Sequence, residues 1–195
     1  MSIIPSSKPK APQKQVIAAA YQQWRKSRPS EVLPPMFVVG VRGYYRDTMG
    51  EAGVNDRGIY DDAFFVVGPE TFAAFNGNND PSAFKNSVAT LAVGCHPYKP
   101  GNHGISRPGG GYPAFRPATK KEELPVTRDG ETAVPSTRPG VAINIHRGGY
   151  GTTSSLGCQT LHPDHWGAFH AVTHAEMKKS GLKQFWYILI EGPIN

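Results

Sequence analysis

Hydrophobic side chains recur at helical spacing near both ends of the chain, and between these stretches lie short runs rich in β-branched and aromatic residues. In QVIAAAYQQWRKSR, Gln15 to Arg28, the residues Val16, Ala20 and Trp24 share a face with Ile17 and Tyr21 beside them. That spacing predicts an amphipathic helix, which Pro29 ends. MFVVGVRGYYR (Met36 to Arg46) and IYDDAFFVV (Ile59 to Val67) read as strands, and Thr71 to Phe75 as a third. NGNNDP, Asn76 to Pro81, reads as turn, and the stretch between Cys95 and Pro139 reads as exposed loop, a place for a substrate rim. GVAINIH (Gly140 to His146) alternates as a strand and runs into a glycine-rich loop that ends at Cys158. After Pro163 the spacing of Trp166, Phe169, Val172 and Met177 predicts a second helix, capped by Asp164 and closed by Gly181, and QFWYILIE (Gln184 to Glu191) a last strand.

These elements predict a mostly β protein with a few helices, an α+β fold. Composition agrees, because 22 Gly and 18 Pro in 195 residues favour strands joined by turns over long helices. The length suits one core. Residues 1–14, rich in Lys and Pro, read as a flexible basic arm, and residues 15–195 as a single domain.

Lys and Arg outnumber Asp and Glu by 21 to 15, a formal charge of +6, so the surface attracts polyanions. No zinc-finger spacing or RNA-binding string accompanies that charge, so no specific nucleic acid is expected. No apolar run approaches the roughly 20 residues of a membrane span. MSIIPSSKPKAPQKQ lacks the apolar core of a signal peptide, which predicts synthesis in the cytoplasm.

The chemistry concentrates in INIHRGGYGTTSSLGCQTLHP. His146 leaves a strand end and Cys158 follows a glycine loop, an arrangement that can bring an imidazole to a thiol. Such an imidazole converts the thiol to the nucleophilic thiolate at neutral pH. Gly157 lets the chain approach a reacting carbonyl, and the backbone N–H groups around Cys158 are candidates for an oxyanion hole.

His146, Ser155, Gly157 and Cys158 together resemble the His-x(n)-Ser-His-Gly-Cys signature of the L,D-transpeptidase (YkuD-type) catalytic domain, a family of peptidoglycan enzymes. The resemblance implies an L,D-transpeptidase-like β-sandwich or barrel. It implies that Cys158 attacks a stem-peptide or cross-link carbonyl, that His146 acts as base and then acid, and that the backbone carbonyl of Arg147 orients the imidazole. Leu156 stands where the signature has its second histidine, and Gln159 and Thr160 replace the hydrophobic-Arg pair that usually follows the cysteine. Substrate contacts are therefore assigned to Ser155, Gly157, Gln159 and His103. No cofactor is required by this chemistry.

With no signal peptide and a substrate outside the membrane, the expected setting is a phage lytic enzyme, an endolysin released by a holin and acting on the cell wall in the periplasm. A secretion-delivered wall toxin of the same chemistry, a zinc-dependent amidase or peptidase, and a non-catalytic wall-binding or virion protein remain as alternatives. For zinc, His170 and His174 lie at i, i+4, but the glutamate of His-Glu-x-x-His is missing, so no metal site is assigned. Cys95, after LAVG, reads as a small core residue. Asp61 and Asp62 are neighbours in a strand and point to opposite faces, which argues against a glycosidase pair.

Overall fold

Alternation along the strands decides which side chains face inward, and the strands close on themselves to give that pattern an inside. The computed structural model describes residues 2–106 and 108–194. In chain order the elements are helix α1 (Gln13–Ser27), strands β1 (Phe37–Arg42), β2 (Asp62–Val67), β3 (Phe72–Asn78), β4 (Ala89–Leu91), β5 (Gly94–His103), β6 (Tyr112–Pro117), β7 (Glu123–Leu124), β8 (Val126–Arg128), β9 (Gly140–Val141), β10 (Ile145–Arg147) and β11 (Gln159–Leu161), helix α2 (Pro163–Lys179) and strand β12 (Phe185–Glu191). The barrel runs β1-β12-β5-β6-β10-β11-β3-β2, while β4 pairs with β8 and β7 with β9 outside it. Its pairs are antiparallel except β1 with β12 and β10 with β11, so the sheet is mixed and the fold α+β, mostly β.

Two apolar clusters occupy the two sides of this sheet. Val38, Phe64, Phe115, Ile145, Leu161 and Tyr187 point inward and meet Trp166, Phe169 and Met177 of α2. Their neighbours Phe37, Val39, Phe65 and Ile188 point outward and bury against Val16, Ala20 and Trp24 of α1. Full burial of a side chain of this size stabilises by about 1.5–3 kcal/mol, so both helices are held by their apolar stripes rather than by propensity. Pro163 opens α2, and His162, rather than Asp164, caps it by accepting from the Asp164 N–H at 3.3 Å. No helix among the described residues is long and apolar enough to cross a membrane.

Several expectations are revised. Cys95 to Pro139 is not loop-dominated: β5 and β6 form a long antiparallel hairpin within it, pairing Tyr98 with Pro117 through to His103 with Tyr112. Asn76 to Asn78 continue β3 instead of turning. The strand read over Gly140 to His146 is broken into β9 and β10, with Ala142 between them at φ 53°. The N-terminal segment, read as a flexible arm, lies against the barrel. Ile3 O accepts from Tyr60 N at 2.7 Å, Ser7 O from the Asn76 amide at 3.0 Å, and the Tyr44 hydroxyl accepts from Lys10 and Ala11 N.

A buried polar frame ties the ends of β1, β2, β3 and β12. Arg42 pairs with Asp80 at 3.0 Å and with Glu191 at 3.1 Å, and Asp62 accepts from the Gly43 and Asn79 N–H groups. Asp61 accepts from Asp56 N. Both carboxylates thus anchor backbone, and no glycosidase pair is formed. Burial pushes Asp61 up to about 7.

His96 in β5 offers a test of the barrel core. It is buried, its Nε2–H donates to Ala92 O at 2.8 Å, and burial pulls the imidazole down to about 4 from 6.5. The unfolded chain therefore takes up a proton in that window while the folded chain does not. The stability that neutral His96 contributes is full above the unfolded value and is lost as pH falls towards the folded one. Between about pH 7 and about pH 4, the wild type should lose on the order of 3 kcal/mol more than His96→Gln in urea unfolding. The difference between the two proteins is the quantity to read, because Asp61 bends both curves the opposite way; parallel curves would refute the assignment.

Candidate active site

The site is built on the parallel pair β10 and β11. Ile145 lies opposite Gln159 and His146 opposite Thr160, and the pairing extends back one step through Gln159 N donating to Asn144 O at 2.9 Å. In a parallel pair, residues in register share a face. Ile145 and Gln159 point into the barrel, which leaves Asn144, His146 and Cys158 on its outer side. Across β6, His146 pairs with Ala114, and two residues away on the same face Tyr112 pairs with His103 of β5. Four strands therefore deliver His103, Tyr112, Asn144, His146 and Cys158 to one patch.

Contacts follow from that placement. One nitrogen of His103, one of His146 and the Cys158 sulfur all lie within 4.8 Å of one another. His146 Nδ1 is 2.7 Å from the Arg147 carbonyl and 3.1 Å from the Tyr112 hydroxyl. A carbonyl can only accept, so the proton sits on Nδ1 and the lone pair on Nε2, the tautomer a general base needs. The ring of His103 stacks on that of His146 with centroids 3.9 Å apart, and its Nδ1 is 3.1 Å from the Asn144 amide. The backbone N–H of Asn144 donates to the Cys158 sulfur at 3.4 Å, and the thiol is directed at the Ala142 carbonyl at 3.8 Å.

Ser155 and Gly157 have work in the loop itself. The Ser155 hydroxyl donates to Cys158 O at 2.6 Å and accepts from Gly157 N at 3.0 Å, while its own N–H donates to Ser82 Oγ at 2.7 Å. Gly157 has φ +121° and lies so close to β4 that a Cβ would stand 2.4 Å from Ala89 O. No other residue fits there. Both residues are buried and set the backbone at the cysteine, whereas the sequence suggested substrate contact.

Gln159 is likewise corrected. Its side chain is wholly buried, accepting from the Tyr98 hydroxyl at 3.1 Å and donating to Gly157 O at 3.3 Å. It is a plug in the barrel wall and does not reach the outer face. The N–H groups of Gly157 and Gln159 are already committed to Ser155 Oγ and Asn144 O, so neither serves an oxyanion. Of the residues expected from the sequence, His146, Cys158, His103 and the Arg147 carbonyl come together. Tyr112 and Asn144 were missed. Leu156, at the signature's second histidine, is 77 % exposed, and the second imidazole comes from His103 on β5.

Cys95 is unbonded to Cys158 and packs against the outer apolar cluster. His170 and His174 have ring centroids 4.4 Å apart and lie against Phe115, away from the cysteine patch. Comparison with family models, with curated proteins and with solved structures finds no match to this chain.

The sequence implied a thiolate at neutral pH, and the electrostatics revise this. Burial pushes the Cys158 thiol up to about 11, against the smaller opposing effects of the Asn144 N–H and the Arg116 charge. At neutral pH this burial holds the resting sulfur as the thiol. In a Cys95→Ala background, the rate of iodoacetamide alkylation should therefore climb steadily from about pH 6 to beyond about pH 9. A rate already on a plateau below about pH 7 would mean a preformed ion pair and overturn this description.

Proposed function

We propose that the protein is a peptidoglycan-active cysteine peptidase or transpeptidase of the L,D-transpeptidase type, in which Cys158 forms an acyl-enzyme with a stem-peptide or cross-link carbonyl. The observation that carries this reading is the tethering of His146 Nδ1 by the Arg147 carbonyl, with the imidazole and Cys158 on one face at the end of a glycine-rich Ser-x-Gly-Cys loop. That arrangement does what acyl transfer requires. His146 Nε2 takes the thiol proton as sulfur bonds to the carbonyl carbon, and the same proton goes to the leaving amine as the C–N bond breaks. Water or a second amine then attacks the thioester, with His146 again accepting the proton, and Cys158 is restored.

The closed mixed sheet is compatible with an L,D-transpeptidase-like barrel, and the formal charge of +6 suits an anionic cell wall. A phage lytic enzyme reaching the periplasm through a holin is the setting in which hydrolysis is the useful outcome. A toxin delivered by a secretion apparatus would use the same chemistry. A non-catalytic wall-binding protein would have no use for the base-competent tautomer of His146.

Mass spectrometry of purified muropeptides incubated with the protein tests the reading. Cleavage or exchange at a peptide bond of the stem or cross-link is expected. Cys158→Ala should reduce it by on the order of 1,000-fold or more, whereas Cys95→Ala should retain most of it. Unchanged turnover by Cys158→Ala, or glycan cleavage in place of peptide cleavage, would refute the assignment.

A further inference from the structure

We propose that His103, His146 and Cys158 form a three-ligand binding site for a borderline-soft divalent cation of the zinc class. Two imidazole nitrogens and one thiol sulfur are a donor set zinc prefers, and three protein ligands with one open position is a coordination it adopts outside structural sites. The ligating atoms lie within 4.8 Å of one another. Around tetrahedral zinc, with bonds of about 2.0–2.3 Å, neighbouring ligands stand roughly 3.3–3.8 Å apart, so side-chain torsions need to close the cluster by at most about 1.5 Å.

The surroundings of the two histidines support ligation independently of their spacing. A metal-bound histidine almost always donates its other ring N–H to a carbonyl or carboxylate, which sets the tautomer and aims the ring. His146 does this through Nδ1 and the Arg147 carbonyl. At His103 the partner of Nδ1 is the Asn144 side-chain amide, whose Oδ1 is buried without a hydrogen-bond partner. Turning that amide by half a rotation, a change that leaves its shape intact, lets Oδ1 accept from His103 Nδ1–H, with Nδ2 taking the place Oδ1 held. Both rings then carry their proton on Nδ1 and present Nε2 as the donor. The Asn144 N–H at the sulfur favours the thiolate that a metal requires. Binding displaces one proton, from Cys158–SH to solvent, as the sulfur–metal bond forms.

A cation held there ties up the nucleophile and the base together, so it is a reversible inhibitor of acyl transfer, a consequence that rests on the catalytic reading above. Metal binding is measured without peptidoglycan, on the full chain carrying Cys95→Ala. Co2+ is the spectroscopic probe and Zn2+ the competitor. One Co2+ per chain is expected, with a thiolate charge-transfer band, displacement by Zn2+, and close to one proton released. Cys158→Ala and His103→Gln should each weaken binding by about 10-fold or more. Protein folded first and then alkylated at Cys158 should behave like Cys158→Ala, which covers the case of a variant that does not fold. Absence of stoichiometric binding, or equal affinity after alkylation, overturns the site. Muropeptide cleavage that depends on Cys158 with no metal binding removes this inference and leaves the function standing; metal binding without cleavage does the reverse. Where both hold, Zn2+ should suppress cleavage and a chelator should restore it.

Discussion

The parallel register between β10 and β11 is the constraint on which the site depends. A strand alternates its side chains, so a slip of one residue would carry Cys158 into the barrel and bring Gln159 to its surface. Three contacts oppose that slip. Gln159 N and Gly148 N are bonded to Asn144 O and Leu161 O at the two ends of the pair, and the Gln159 side chain is satisfied only in its present seat between Tyr98 and Gly157. An amide wholly removed from water costs about 1–3 kcal/mol if it loses its partners. The buried glutamine therefore acts as a register lock, and its polarity is what makes the alternative pairings expensive.

The loop that joins the two strands is held by polar staples of the same kind. Ser82 Oγ accepts from Ser155 N and bonds to Thr153 Oγ1, Ser155 bridges Gly157 to Cys158, and the Tyr60 hydroxyl donates to Gly149 O. Short parallel connections without a crossover helix are uncommon, because a tight reversal leaves backbone groups unpaired. Here hydroxyl groups supply the missing partners. In Ser-x-Gly-Cys, then, serine and glycine specify a backbone shape, and the proposed chemistry falls to the cysteine alone.

That division explains which parts were legible in the sequence. Both helices and the apolar strands β1, β2 and β12 are encoded by local periodicity, and the His146–Cys158 pair by a compact motif. The β5–β6 hairpin was hidden because Pro97, Pro100, Pro113 and Pro117 lie inside it, and proline in a run normally argues against a paired strand. The ordered N-terminal segment was hidden because the contacts that hold it are made by main-chain carbonyl and N–H groups, to which composition is blind. Tyr112, Asn144 and the approach of His103 depend on pairing between β5, β6 and β10, a relation across more than forty residues that no window reports. Gln159 was misplaced for the opposite reason: its polarity suggested surface, while its amide is seated in the barrel wall between the Tyr98 hydroxyl and Gly157 O.

Desolvation of Cys158 looks at first like an obstacle to the proposed catalysis. A thiol held near 11 costs about 5 kcal/mol to ionise at neutral pH if the proton goes to water. Transfer to His146 is a different matter, because it creates two opposite charges within 4.8 Å. At an effective dielectric constant of about 20 their attraction is about 3–4 kcal/mol, which returns most of the cost, and the bond from Nδ1 to the Arg147 carbonyl stabilises the imidazolium further. The ion pair therefore lies within reach but above the resting state. The neutral thiol is directed at Ala142 O, and in the proposed mechanism it leaves that carbonyl when a substrate carbonyl offers the sulfur a bond. Burial thus keeps the sulfur quiet towards solvent at neutral pH, and in the proposed mechanism it makes proton transfer to the imidazole the less costly way to a nucleophile.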